Sequence, residues 1–376
     1  MTLDNFSITA PVRNPRKVTT ELQLVHKNSA AFFGIELRVR EWKSIKQNGI
    51  NMKTIMTSLS RGLKNFAILI PAALAMIATI TTARGDQTAF SRIFVFGDSL
   101  SDTGNFYALT GYPPAPYYHG RFSNGKVWIE YLADSLQMQI RPGDNFAIAG
   151  ATTGRVNINS AAVQALLPGL QDEVDSFQGK GYSPAQVGDG LFVVWAGAND
   201  FFLALEGTVT PQDVISNGVY NTAQAVLRLK ASGAQYILVA NVPDLGVTPF
   251  GVSTGIAPQL TQLCAVYNQV LTATLQTLAS SGVTAIGVDA FTTLDSMVNN
   301  PSTYGFGDVT DAYLLTGGDA NQFLFWDTVH PTSVGHSVLA NEAVNVLVNY
   351  FSPCQGTGSP ESRVNALRGL VRAARH

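Results

Sequence analysis

A serine hydroxyl becomes a useful nucleophile when a base lies within hydrogen-bond reach and a third group holds that base in one tautomer. The 376-residue chain offers such a set. Ser99 stands in IFVFGDSLSDTGN, residues 93–105, where four apolar residues lead into Gly97-Asp98-Ser99. His330 stands in FWDTVHPTSVGH, with Asp327 three residues before it and Pro331 after it. That spacing lets one tight turn bring the Asp327 carboxylate to one ring nitrogen, leaving the other to accept the Ser99 proton. The remaining histidines after residue 90 fit less well. His119 lies in a Pro/Tyr-rich loop with no close acid, His336 in an expected helix, and His376 at the chain end. Acyl transfer also needs donors for the oxygen that becomes negative, each worth about 3 to 4 kcal/mol. Three are available: the Ser99 N–H, the side-chain amide of Asn199 in WAGAND, and the N–H of Gly150 in NFAIAGATTG. Ser99 is expected at a strand-to-helix turn, where a helix N-terminus adds positive potential.

Such groups need a rigid mount. Residues 93–96, 191–195, 236–240 and 283–288 are nearly all apolar, as strands covered on both faces must be, and a weaker strand is expected near 145–149. Helical periodicity falls at about 125–137, 211–231, 257–280 and 333–350. Strands alternating with helices predict one α/β domain over residues 90–352, with a parallel sheet wrapped on both sides. The strand ends then bring Gly97-Asp98-Ser99, Asn199-Asp200 and Asn241 to Asp244 to one rim. Asp98 and Asp102 are expected to cap or hold the turn, and Asp200 to orient its loop. Phe201 and Phe202 are expected in the core, and the Tyr112 to His119 loop on the surface or beside a pocket.

No Gly-x-Gly-x-x-Gly follows the first strand and no Walker motif occurs, so no cofactor is expected. Neither a His-Glu-x-x-His nor a ligand-spaced cluster points to a metal. The Gly-x-Ser-x-Gly turn of α/β-hydrolases is also absent, because Ser101 stands at the second Gly position.

Taken singly, Gly-Asp-Ser, Asn-Asp and Asp-x-x-His are common turn and cap sequences. Together and in order, FGDSLSDTGN, NFAIAGA, GAND and DTVH resemble the four sequence blocks of the GDSL, or SGNH, hydrolase superfamily. The resemblance spans about Arg92 to Tyr350, and GRFSNGKVWIEYLA is similar to the stretch after the first block in plant-type GDSL lipases and esterases. It implies Ser99 as nucleophile, Ser99, Gly150 and Asn199 as oxyanion donors, and His330 with Asp327 as base and orienter. It also implies a three-layer α/β/α, flavodoxin-like fold with five parallel strands. Many members have Gly-Gly-Ala in the second block where this chain has Ala149-Gly150-Ala151, so Ala149 is a second candidate donor. The implied activity is that of a secreted, lipase-like serine esterase working through an acyl-enzyme. A carbohydrate O-acetylesterase, a phospholipid acyltransferase and an inactive scaffold that only binds are the alternatives.

The formal net charge is -2, but residues 85–360 hold eight Lys or Arg against twenty-one Asp or Glu. So acidic a body argues against a nucleic-acid partner and suits a neutral small-molecule or lipid ester. Residues 52–84 have a basic start, an apolar run from Phe66 and small residues at Thr81-Thr82-Ala83, the layout of a secretory signal peptide. The protein is therefore expected outside the cytoplasm, with membrane contact only through its substrate or an uncleaved leader, and as a monomer. Residues 1–51 carry no usable motif and are expected to be a mis-assigned or disordered extension, with Met52 the true start. Residues 353–376 form a basic tail. Cys264 and Cys354 can pair after export, or remain two buried thiols.

Overall fold

The structure, a computed structural model, describes residues 90–351. The expectations for residues 1–51, 52–84 and 353–376, and for Cys354, lie outside the described residues; Cys264 is buried.

Strands β1 (Arg92–Gly97), β2 (Gly190–Trp195), β3 (Tyr236–Ala240) and β4 (Ala285–Val288) form a parallel sheet in that order. Side chains leave alternate faces of each strand. Phe94, Phe96, Phe192, Val194, Ile237 and Val239 pack into one core, while Ile93, Val95, Leu191, Val193, Trp195 and Leu238 pack into another. With apolar layers on both sides, every position must be apolar, which is why these runs lack a polar alternation.

The main helices are α1 (Asn105–Thr110), α2 (Trp128–Ser135), α3 (Leu170–Gly179), α4 (Ala198–Leu205), α5 (Pro211–Ala231), α6 (Ala257–Ser280), α7 (Ala290–Asn299) and α8 (Ser333–Phe351). Helices α3 to α6 cover the first face, and α2, α7 and α8 the second, giving the expected α/β/α sandwich. The bounds of α5 and α6 agree with the sequence reading. A Thr210–Asp213 capping box with Pro211 in the first turn sets the start of α5. Helix α2 begins later than expected because Val127 is extended and donates its N–H to the Glu130 carboxylate at 3.0 Å.

The sheet has four regular strands, not five. The fifth position is held by an extended segment around Asn145, joined to the free edge of β1 by a parallel bridge between Val95 and Asn145. Val95 N–H donates to Asp144 O (3.0 Å), Phe146 N–H to Val95 O (2.8 Å) and Ile148 N–H to Gly97 O (3.0 Å). Regular pairing stops there because side chains take over the backbone groups. Asn105 donates to the carbonyls of Asn145 and Ala147, and Asn145 donates to that of Ser101. Counting this segment, the positions run 2-1-3-4-5 across the sheet, the flavodoxin-like order. A second, two-stranded parallel sheet, β5 (Asp308–Ala312) with β6 (Phe323–Phe325), was not foreseen. One partner reads Asp-Val-Thr-Asp-Ala and the other has three residues, too little for a periodic signal.

Buried carboxyls hold the rim loops, in the roles expected of them. Asp98 accepts the Leu100 N–H, Asp102 those of Gly104, Asn105, Phe106 and Ala149, and Asp200 the N–H and hydroxyl of Thr153. Burial pushes Asp98 up to about 7 and Asp102 and Asp200 up to about 6, against the opposing pull of those hydrogen bonds.

Gly97 has φ +148°, and a Cβ there would lie 2.1 Å from Trp195 O. The variant Gly97→Ala is expected to lose about 3 kcal/mol or more in urea unfolding, and a loss under about 1 kcal/mol would show that the turn tolerates a side chain. The raised carboxyls take up protons on folding. Their stabilising contribution is complete below the ordinary 3.8 and is lost as pH rises through about 6 to 7. Asp98→Asn keeps an oxygen for Leu100 but does not titrate, so its melting temperature relative to wild type should rise between about pH 5 and pH 8. A difference that stays flat over that window contradicts this account.

Candidate active site

Strand β1 carries Ser99 to the rim. The chain there does not pass straight into a helix as expected. Ser101 and Asp102 N–H groups both fold back onto Asp98 O at 3.0 Å, and α1 begins only at Asn105. Ser99 therefore sits in a loop wound around Asp98, and no helix N-terminus stands behind it. It is 6% exposed, enough for its hydroxyl to face a cleft.

His330 comes from the far end of the chain. Strand β6 ends at Phe325, Trp326 N–H donates to His330 O at 2.8 Å, and Phe325 bridges Pro331, so residues 326–330 close a tight loop. Thr332 N–H then bonds Leu324 O and α8 begins at Ser333. Within that loop Asp327 Oδ1 accepts the N–H of Val329 (2.9 Å) and of His330 (2.7 Å), which orients its carboxylate. The Asp327 Oδ2 lies 2.8 Å from His330 Nδ1, and His330 Nε2 lies 2.8 Å from Ser99 Oγ, across 231 residues of sequence. A carboxylate at Nδ1 holds the ring proton there, which leaves Nε2 to accept from the serine. Burial pushes the Asp327 carboxyl up, but the His330 ring and the hydrogen bonds it accepts outweigh that and hold it below the ordinary carboxylate range.

The donor side gathers around Ser99 in a different way. Asn199, in the first turn of α4, lines the same cleft and donates its amide to Ala151 O at 2.9 Å. One amide hydrogen is engaged there, and the other remains available. Gly150 precedes the residue that Asn199 grips but is not itself in the cleft lining. Its φ is +85°, and a Cβ would fall 2.4 Å from Asn159 Nδ2, so only glycine fits. Of its neighbours, Ala149 gives its N–H to Asp102 Oδ2, and Ala151 gives its own to Ile148 O. That engagement removes Ala149 as the alternative donor. The N–H groups of Ser99 and Gly150 have no hydrogen-bond acceptor among the described residues.

The cleft beside Ser99, Asn199 and His330 is walled by Leu100, Trp195, Phe202, Leu294, Phe325 and Leu339. It opens at the sheet end where the two cores meet. Phe201 is core, as expected, whereas Phe202 both packs against Phe250 and faces the cleft. Pro243 and Leu245, after β3, add to the lining, and none of residues 112–119 takes part.

Two further contacts escaped the sequence reading. Tyr117, buried in the loop assigned to the surface or a pocket, donates its hydroxyl to Asp327 Oδ2 at 2.9 Å. The Phe122 ring lies 5.0 Å from the His330 ring and supports its plane. Clusters of aromatic residues in 112–122 were a signal, but spacing alone does not say which ring turns inward. His336 is buried on α8 with neither ring nitrogen bonded, and burial, with His330 nearby, depresses it to about 3, so it is neutral. Among the described residues no group of His, Cys, Asp or Glu is arranged to hold a metal ion.

Residues 93–343 match the family described as GDSL-like Lipase/Acylhydrolase. A phosphatidylcholine-sterol acyltransferase from Aeromonas hydrophila is 29% identical over 74% of this chain and 96% of its own length. A GDSL esterase/lipase from Arabidopsis thaliana is 26% identical over 70% and 81%, and a thermolabile hemolysin from Vibrio parahaemolyticus is 26% identical over 69% and 65%. Among solved structures, an acetylxylan esterase from Geobacillus stearothermophilus aligns with 71% of this chain and 96% of its own, at 15% identity and a TM-score of 0.39. The family match covers the sheet, every rim loop and most of α8, and on that ground the chain belongs to the GDSL lipase/acylhydrolase family and is a carboxylic ester hydrolase.

Proposed function

We propose that the protein is a secreted esterase that cleaves esters of apolar acyl chains through an acyl-enzyme on Ser99. The observation that carries this reading is the unbroken chain Ser99 Oγ, His330 Nε2, His330 Nδ1, Asp327 Oδ2, with both links at 2.8 Å, at the mouth of an apolar cleft. His330 takes the hydroxyl proton as Ser99 Oγ bonds the ester carbonyl carbon. The carbonyl oxygen becomes negative and is received by the N–H groups of Ser99 and Gly150 and the amide of Asn199. His330 then returns the proton to the leaving alcohol, and the carbon–oxygen bond to that alcohol breaks. A water repeats the sequence in reverse roles and frees the acid and Ser99.

The wall of Leu, Phe and Trp side chains favours an alkyl acyl group over an acetyl group on a sugar, which would leave that surface unfilled. A second reading, transfer of the acyl group to an alcohol in place of water, draws on the Aeromonas relative's name as an acyltransferase. The leader-like residues 52–84 support action outside the cytoplasm.

Ser99→Ala and His330→Ala are each expected to cut turnover of p-nitrophenyl esters by about 10⁴-fold or more, and Asp327→Asn to leave a reduced but measurable rate. Near-wild-type rates in either of the first two would end the proposal, as would a fluorophosphonate adduct located anywhere but Ser99. Across acetyl to palmitoyl esters, kcat/KM should rise from acetyl to longer chains and exceed the rate on acetylated xylan; a maximum at acetyl would favour the carbohydrate reading. Tyr117→Phe removes the hydroxyl that donates to Asp327 Oδ2, a contact that helps hold this carboxylate against His330. Its kcat on p-nitrophenyl esters should therefore fall about 3- to 10-fold with KM little changed, and a wild-type kcat would restrict Tyr117 to packing.

A further inference from the structure

Glu173, on α3, is 1% exposed and forms no ion pair among the described residues. Its Oε2 accepts the Gly97 N–H at 2.7 Å and its Oε1 the Ile148 N–H at 3.3 Å. Gly97 is two residues before Ser99, and Ile148 is two before Gly150. One carboxyl thus clasps the two backbone segments that end in the N–H groups of Ser99 and Gly150.

The clasp occupies a specific place in the sheet. Along the β1 edge the parallel ladder runs Val95 N–H to Asp144 O, Phe146 N–H to Val95 O and Ile148 N–H to Gly97 O. In a regular parallel ladder one more rung, Gly97 N–H to Phe146 O, lies between the last two of these. Here the Gly97 N–H goes to Glu173 instead, and the Ile148 N–H is shared between Gly97 O and Glu173. Beyond this point the 147–150 segment leaves strand geometry: Ala149 turns its N–H to Asp102, and Gly150 enters the left-handed region. The carboxyl sits where the edge segment stops being sheet and becomes the loop with an unengaged N–H.

A buried acid without a cation is an expensive way to join two N–H groups. Burial raises Glu173 well above the ordinary glutamate value, and the negative neighbours Asp98 and Asp102 add to that. An apolar side chain could fill the space, but it has no acceptor for either N–H. Glutamine has one acceptor and would turn an NH2 group toward the second N–H.

We infer that Glu173 is a positioning residue for catalysis: on the reading that the Ser99 and Gly150 N–H groups receive the oxyanion, it sets the separation and direction of the two loops that carry them. It touches neither substrate nor Ser99 and acts only through backbone. Its contribution is therefore to the transition state, where donor placement counts, and not to ground-state binding in the cleft.

The test compares wild type, Glu173→Gln, Glu173→Asp and Ser99→Ala on p-nitrophenyl butyrate, together with inhibition by butaneboronic acid, whose serine adduct carries a tetrahedral oxyanion-like oxygen. Circular dichroism and melting curves establish that each variant is folded. For Glu173→Gln, kcat should fall about 10- to 100-fold with KM within about threefold of wild type, and the boronate should weaken by a similar factor. Glu173→Asp keeps the carboxyl but cannot span both N–H groups, and should show the same split to a smaller degree; it decides the matter where the Gln variant fails to fold. A folded Glu173 variant with a lowered melting temperature but wild-type kcat and boronate affinity overturns the inference and leaves Glu173 a structural residue. Failure of the underlying acyl-enzyme reading is a separate result, recognised by a Ser99→Ala enzyme that still turns over.

Discussion

Hydrogen-bonded parallel pairing of β1 with β2, from Arg92 opposite Gly190 to Gly97 opposite Trp195, is the constraint on which the rest depends. Parallel strands all leave the sheet at one edge. The pairing therefore puts the Ser99 loop beside the turn that begins α4 and carries Asn199, although a hundred residues of chain separate them. Both strands are buried on both faces, between the core of α3 to α6 and that of α2, α7 and α8. Close packing on two sides makes this edge stiff, and a stiff edge suits groups that must meet a reacting carbon within a fraction of an ångström.

What lies just beyond the edge is polar and yet buried. Asp98, Asp102, Glu173 and Asp200 all sit beneath the rim, and none is neutralised by Lys or Arg among the described residues. Their oxygens serve instead as acceptors for loop N–H groups that have left helix or strand. The loops acquire definite shapes in this way, at a cost in burial that shows in the raised pKa of each carboxyl. The pattern also explains which N–H groups remain unengaged. Acids claim those of Gly97, Leu100, Ile148 and Ala149, whereas those of Ser99 and Gly150 have no acceptor among the described residues. Asp327 differs from the other acids because its charge faces His330, and it alone of these is held below the ordinary range.

The sheet was legible because burial on two faces imposes continuous apolar runs, and β1, β2 and β3 have such runs. Helices α5, α6 and α8 were legible because each is long enough for its period to repeat. Elements with a short or mixed signal were not: the three-residue β6, the six-residue α1 and the Asp-rich β5 gave no period to read. The expectation of a helix directly after Ser99 failed for a local reason. Asp98 offers its backbone and side-chain oxygens to the next N–H groups and winds a loop in place of a helix start. Likewise the fifth strand shrinks to a bridge because Asn105, Asn145 and Glu173 compete for its backbone groups.

Residue type and order by themselves determined the family, the alternation of strands and helices, and the identities of Ser99, Asn199, Asp327 and His330 as one set. These are local properties: a turn needs Gly, a buried strand needs apolar residues, and an Asp three residues before a His can reach its ring. Only the tertiary structure decided what those residues meet. The contact of Tyr117 with Asp327, the clasp of Glu173 on Gly97 and Ile148, and the apolar walls from Leu100 to Leu339 all join segments far apart in the chain. Distance along the chain carries no information about such pairs, because it is sheet register and helix packing that bring them within ångströms of one another.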